Sequence, residues 1–133
     1  MFVLKVDGCK NYTVLSEAAR AQGNTDKPWA CDQWHLAPGW YRFQGAAGDM
    51  MLNRSVPVGS CGTYAPGWLS GRHPTVAEGV VTRKVCYTGS KKNCTWTNNI
   101  KVKNCSSYYV YELQRTPVCN LRYCGNGGKG KLT

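Results

Sequence analysis

The stretch Gly79-Val80-Val81-Thr82-Arg83-Lys84-Val85-Cys86, continued by Tyr87-Thr88-Gly89-Ser90-Lys91-Lys92-Asn93 and closed by Cys94, decides the fold. Its first part is rich in β-branched residues and reads as a strand. Its second part is polar and turn-forming, so a hairpin there brings Cys86 and Cys94 together. Further along, Ile100-Lys101-Val102-Lys103 alternates apolar and charged residues, the mark of a half-buried strand. Tyr108-Tyr109-Val110-Tyr111-Glu112-Leu113 has strand propensity, with Tyr109, Tyr111 and Leu113 on one face and Tyr108, Val110 and Glu112 on the other. Upstream, Trp40-Tyr41-Arg42-Phe43 is a short aromatic strand between Gly39 and Gly45. The Gly-, Pro- and Ser-rich middle, from Gly45 to Pro74, reads as loops pinned by Cys61. Leu15 to Ala21 is expected to make a helical turn or two, with Ser16 as N-cap and Glu17 in the first turn. The expected fold class is mostly β and loop-rich: a disulfide-stapled single domain with short antiparallel strands and at most one short helix.

The chain has 133 residues, which fits one domain. Its apolar residues lean toward Tyr, Trp and Cys rather than Leu and Ile, and small secreted domains often replace missing aliphatic core with cross-links. The cysteines are eight: Cys9, Cys31, Cys61, Cys86, Cys94, Cys105, Cys119 and Cys124. A zinc site needs close pairs such as C-x2-C, and the tightest spacing here is Cys119 to Cys124. His35 and His73 complete no ligand pattern with them. The cysteines therefore read as disulfides, each contributing about 2–4 kcal/mol by restricting the unfolded chain. Spacing alone cannot choose among the roughly one hundred pairings that eight cysteines allow. Disulfides imply a secreted, extracellular protein. Met1-Phe2-Val3-Leu4 is too short for a signal core, so the sequence is expected to be a mature form, and no stretch is long enough to span a membrane. Residues 1–124 are taken as the domain, and the Gly/Lys-rich 125–133 as a flexible tail.

The formal net charge is +10, and it is uneven. Up to Glu78 there are seven Lys/Arg against six Asp/Glu; from Gly79 on there are ten Lys/Arg and a single acid, Glu112. A solvated face accounts for this, as does affinity for acidic polysaccharide or sialylated and sulfated glycans. Nucleic acid is not expected as a partner, because the compartment implied by the disulfides lacks it.

Taken in order, several motifs resemble the uromodulin-type extracellular domain, known by its eight (sometimes ten) cysteines. They are Cys31-Asp32; Gly39-Trp40-Tyr41-Arg42-Phe43-Gln44-Gly45; Val56-Pro57-Val58 with Cys61-Gly62-Thr63; and Ala65-Pro66-Gly67-Trp68-Leu69-Ser70-Gly71-Arg72-His73-Pro74. Glu78 to Cys86, Val102 to Cys105, Tyr108 to Leu113 and Cys119-Asn120-Leu121-Arg122-Tyr123-Cys124 complete the series. The resemblance runs from Cys9 to Cys124 and implies the pairs Cys9–Cys105, Cys31–Cys119, Cys61–Cys124 and Cys86–Cys94. The extra bridge of ten-cysteine members would fall on Ser55 and Asn93, so both of its cysteines are missing together. In uromodulin-like members the Trp-Leu-x-Gly-x-His-Pro loop carries an N-glycan that bacterial adhesins recognise. Here Ser70 and Arg72 stand where that sequon needs Asn and Thr, so this glycan site is lost.

Four other sequons remain, at Asn11, Asn53, Asn93 and Asn104. Asn93 and Asn104 each precede a bridged cysteine, so Asn11 and Asn53 are the expected glycosylation sites. Trp40, Trp68 and Trp96 lie in or near the shared motifs and are expected to pack. Trp29 and Trp34 lie outside them, in Lys27-Pro28-Trp29-Ala30-Cys31-Asp32-Gln33-Trp34-His35. Packing under loops is the plainer role for both rings, and stacking on a sugar face is the sharper one. In the sharper reading Trp29, Trp34, His35, Asp32, Asp49, Arg72 and His73 form the candidate sugar-binding set, with Gln33 as a further hydrogen-bonding group. A glycosidase needs two carboxylates flanking a cleft, and only seven acids are scattered along the chain. No G-x-S-x-G motif and no acidic calcium loop is present. The expectation is a non-enzymatic protein with no catalytic residue, no metal and no cofactor.

The function expected first is a secreted carbohydrate-binding, lectin-like module that recognises glycans or glycoproteins. The second is a structural or adhesive matrix module binding proteins or acidic polysaccharide through the basic half. The third is a glycan-bearing decoy for microbial adhesins, using Asn11 or Asn53. Agglutination would require multivalency, and a homo-oligomer would supply it.

Overall fold

In the computed structural model the described residues are 7–26 and 28–128. Seven strands form one sheet: β1 (Thr13–Leu15), β2 (Gly39–Phe43), β3 (Ala65–Ser70), β4 (Val80–Tyr87), β5 (Trp96–Asn104), β6 (Tyr109–Leu113) and β7 (Leu121–Tyr123), in spatial order β1-β2-β6-β5-β4-β3-β7. The expected hairpin is its centre: β4 and β5 pair antiparallel from Val80–Lys103 to Tyr87–Trp96. Cys86 and Cys94 bridge at the hairpin's closed end. The other disulfides join Cys9–Cys105, Cys31–Cys119 and Cys61–Cys124, the pairing that the resemblance implies. Two of the pairings, β1 with β2 and β3 with β7, are parallel, so the strands are not all antiparallel.

One face of the sheet carries the core. Phe43, Leu69, Val85, Tyr87, Val102, Tyr111, Leu113 and Tyr123 are each at most 1% exposed. Buried tyrosines need a partner for each hydroxyl. Tyr87 Oη donates to Asn98 Oδ1 at 2.9 Å, and Tyr123 Oη donates to the Gln114 carbonyl at 2.7 Å. The opposite face is covered at its two ends: Pro66, Cys86 and Arg122 are buried toward the β3–β7 edge, and the N-terminal segment closes the other end. There residues 7–12 lie over β2, β6 and β5, fastened by Cys9–Cys105 and by a 2.7 Å bond from Tyr108 Oη to the Cys9 carbonyl. A side chain at Gly8 would run into the Trp40 ring, with its Cβ 2.4 Å from Cδ2. This cover explains why Val110, on the face opposite Tyr111, is buried as well.

Two expectations change. The predicted turn over Leu15 to Ala21 is a strand end followed by a single 3-10 turn, Ala18–Arg20, and Ser16 caps nothing. Leu15 is held in register with Phe43, and so short a helix has little propensity with which to compete. The short α-helix, α1, lies at Asp32–His35 instead. The Gly45–Pro74 region also contains a strand, β3, which binds β4 and β7 and is not merely loop. Past residue 124, the expected end of the domain, the chain is still tied to it through residues 125–127. Gly125 bridges Ala21 and Met51, Asn126 N donates to the Met50 carbonyl, and Gly127 N donates to the Ala47 carbonyl. The Cβ of any other residue at 125 would sit 2.0 Å from the Ala47 carbonyl oxygen. The glycines that suggested a loose tail are there for close backbone approach. The rest of the expected tail, 129–133, lies outside the described residues.

Candidate functional site

The residues expected to bind sugar do not converge. Asp32 is 2% exposed and belongs to the architecture. Arg20 grips it with both Nη atoms at 2.8 and 3.1 Å, and Tyr123 N donates to the same carboxylate at 2.8 Å. Arg122 Nε stands 3.8 Å away, and Arg122 Nη2 reaches Glu17 at 3.3 Å. Burial works against the Arg20 charge, and the Asp32 carboxylate outweighs it, leaving the pKa raised. For Arg122, burial and the neighbouring Arg20 pull the pKa down. Asp32 is therefore withdrawn as a sugar contact: the Cys31–Cys119 bridge draws it beneath two guanidiniums. Trp29 is half-buried and tilts against Tyr64, with ring centroids 5.8 Å apart, which is the packing role. Trp34 is 70% exposed on α1, next to the exposed His35, and Gln33 is tied to Pro117 and Arg115. Arg72 is engaged bidentately by Glu78 at 2.7 and 2.9 Å, and this pairing holds the Glu78 carboxyl down at about 2.

His73 and Asp49 lie near one feature that the sequence did not indicate. His73 stacks on Tyr109 with ring centroids 4.4 Å apart, and its Nε2 is 2.8 Å from Tyr111 Oη. That hydroxyl also accepts from Met51 N at 2.8 Å, which leaves its proton available to a neutral Nε2. Burial and the Arg83 charge lower the His73 pKa to about 4, against an opposing pull from Asp49. His73 is a wall post, oriented from behind, and its neighbour Tyr109 faces an open groove.

That groove, of about 310 Å³, is lined by Arg42 of β2, by Gln44 just after it, by Asp49 and Met50, and by Tyr109 of β6. Asn104, Ser106, Ser107 and Tyr108 close it from the β5–β6 turn. Ser106 has a positive φ of 83° and its amide donates to Asn104 Oδ1 at 2.8 Å, which sets the turn. The Arg42 guanidinium carbon lies 3.9 Å from the Tyr108 ring centroid, and Nη1 donates to Tyr12 Oη at 2.9 Å. With the Gln44 amide turned oxygen-inward, Nε and Nη1 both stand 3.1 Å from that oxygen. Asp49 Oδ1 accepts from Asn126 Nδ2 at 3.0 Å. Small-ligand sites of this size combine an aromatic wall with a few convergent polar groups, and this groove has both. Of the expected set only Asp49 lines it, with His73 one ring behind. Arg42 and Tyr108–Tyr109 read locally as strand, and nothing in the sequence brings residues 42, 49 and 104–109 together. Among the described residues, no three His, Cys, Asp or Glu side chains gather as a metal-ligand set.

Of the four sequon asparagines, one has its amide engaged. Asn11 and Asn53 are exposed. Asn104 Nδ2, the atom a glycan would need, donates to the Pro74 carbonyl at 3.0 Å. Asn93 is exposed on the hairpin. Ser55 and Asn93, where the extra bridge of longer-cysteine relatives would fall, are joined through Thr88: Ser55 Oγ is 3.3 Å from Thr88 Oγ1, which lies 3.3 Å from the Asn93 carbonyl. Trp68 Nε1 donates into the same cluster, Trp40 is held against Gly8, and Trp96 packs on the core, as expected of all three.

The cysteine framework now has a match. The profile of the uromodulin-like cysteine-rich domain fits residues 41–125. The chain belongs to the uromodulin-like domain family. It is 45% identical over 122 residues to the rat pancreatic secretory granule membrane major glycoprotein GP2, and 42% identical over 119 residues to the human one. It is 41% identical over 119 residues to mouse uromodulin. Each alignment covers 89% of this chain but 23%, 22% and 18% of the respective relative, so this uromodulin-like chain spans under a quarter of the proteins it matches. No helix among the described residues is long and apolar enough to cross a membrane.

Proposed function

We propose that this uromodulin-like domain is a secreted, extracellular, non-enzymatic carbohydrate-recognition module, and that its sugar site is the Arg42–Asp49–Tyr109 groove. One observation carries the reading: a cation, a carboxylate, amides and serine hydroxyls converge beside a tyrosine wall in an open groove. Asp49 is the sole carboxylate among the lining residues, whereas glycoside hydrolysis uses a pair. Four disulfides and glycoprotein relatives, one named for the secretory granule membrane, support the extracellular setting. Trp34 and His35 on α1 are a second exposed place for a sugar face. The test is a glycan array on the natural, non-reduced protein, with and without chelator, alongside haemagglutination. Selective binding that Tyr109→Ala removes supports the groove, and a blank array with no agglutination ends this reading. Agglutination in addition requires a homo-oligomer.

The outer sheet face favours a second reading, acidic polysaccharide. Register puts Lys84 beside Asn99, and Lys101 beside Thr82, on the uncovered side of β4 and β5. Both lysines are exposed and neither has an ion-pair partner among the described residues. Salt-sensitive, sugar-insensitive retention on heparin that Lys84→Ala/Lys101→Ala lowers would establish it. The decoy reading rests on the exposure of Asn11 and Asn53. A glycan mass lost in Asn11→Gln or Asn53→Gln, together with loss of microbial binding, would support it.

A further inference from the structure

We propose that the groove selects a singly charged acidic sugar, a ring bearing one carboxylate, with Arg42 as the carboxylate receptor; this rests on the carbohydrate-recognition reading above. Arg42 is the one cation among the lining residues, and it is built in. It lies over the Tyr108 ring, is held along one side by Gln44 and Tyr12, and is half-buried. Such a guanidinium usually meets a carboxylate, as Arg20 and Arg72 do here. Arg42 meets none among the described residues, and its Nη2 makes no bond there. A pre-positioned planar cation with open donors and no counter-charge suits a carboxylate, whose two oxygens match the guanidinium fork.

The remaining lining decides what carries that carboxylate. Ser106 and Ser107 offer exposed hydroxyls, and Tyr109 offers a ring face to the apolar side of a pyranose. Asp49 keeps Oδ2 free of any bond among the described residues while Oδ1 is tied to Asn126. It accepts from sugar hydroxyls and repels a second anion. A polyhydroxylated monoanion satisfies all of these groups. A densely sulfated chain meets Asp49 as a like charge, and a neutral sugar leaves Arg42 unanswered.

The experiment titrates the whole, disulfide-intact chain by NMR with the methyl glycosides of N-acetylneuraminic acid, glucuronic acid and galactose, and with the methyl ester of each acid. Esterification keeps every hydroxyl and removes only the charge. At least one free acid should bind with shifts at Tyr108, Tyr109 and Ser107, and its ester should bind about tenfold more weakly or worse. Arg42→Gln should abolish that binding and Arg42→Lys should weaken it about tenfold, both melting within a few degrees of wild type, since the guanidinium lies outside the core. Equal binding of acid and ester, or unaltered binding by Arg42→Gln, overturns the inference while the carbohydrate reading stands. Binding of galactose alone does the same. No binding by any of the sugars, joined to a blank array, overturns both.

Discussion

Arg20 and Arg42 are the same residue in opposite situations, and the two ends of the molecule that hold them differ accordingly. Arg20 is 2% exposed under the Cys31–Cys119 and Cys61–Cys124 staples, with Asp32 bonded to both Nη atoms. Arg42 lies at the open end beside the Cys9–Cys105 staple, stacked on Tyr108 and without a carboxylate among the described residues. A fully compensated charge serves structure. A half-compensated one keeps donors for something that arrives from outside. The difference comes from the partners the fold supplies, since neither residue stands out in the sequence.

The largest way to break this comparison is to remove Asp32. Asp32→Ala leaves Arg20 and Arg122 facing each other with their shared carboxylate gone. Removing one partner of a buried pair costs about 3–5 kcal/mol, so urea unfolding of the oxidised protein should shift by a large part of its stability. Wild-type stability in Asp32→Ala would show that the buried end is not held by this cluster.

A smaller effect links the two ends through pH. His73 titrates at about 4 in the fold, against 6.5 for the free side chain. Protons are therefore taken up first by the unfolded chain, and stability falls as pH drops from about 6.5 toward 4. Allowing for its partial exposure, the loss is on the order of 1–3 kcal/mol. The Arg72–Glu78 pair acts lower. The Glu78 carboxyl, held down to about 2 from 4.5, gives up its contribution only as pH falls through that range. Between pH 6.5 and 4.5 the slope therefore belongs to His73. His73→Gln, which keeps an acceptor for Tyr111 Oη, should flatten the melting temperature across this window. An unchanged slope in that variant would mean another group carries it.

The sequence revealed what is local or what the cysteine framework dictates. The Cys86–Cys94 hairpin was legible because strand, turn and bridge lie within one short segment, and the remaining pairs followed from the family resemblance. The alternation in Ile100 to Lys103 likewise reported a real face, with Ile100 and Val102 buried and Lys101 exposed. What could not be read was the company of each polar residue. Asp32 sits among Trp and His in sequence, but its partners Arg20, Arg122 and Tyr123 arrive from two distant segments. The groove has the same origin: β2 pairs with β6 and β6 with β5, which sets Arg42 beside Tyr108 and the Ser106–Ser107 turn. Gly125 to Gly127 show a related limit. Glycine marks both loose chain and chain pressed against other backbone, and only the neighbouring Ala47 carbonyl distinguishes them.

The smallest expected stability change tests the comparison most sharply. Arg42→Ala removes a cation stacked on an aromatic ring at a half-exposed position, which is worth about 0.5–1 kcal/mol. It buries no orphaned charge, because Arg42 neutralises none. If the open end is a recognition site, this variant should melt within a few degrees of wild type and lose sugar binding. Asp32→Ala should do the reverse wherever enough folded protein remains: large destabilisation, with binding per folded molecule retained. Should Arg42→Ala instead unfold the protein as Asp32→Ala does, Arg42 is a structural cation like Arg20. The free Nη2 would then be incidental to the packing of Tyr108 and Tyr12, and the contrast between the two ends would collapse.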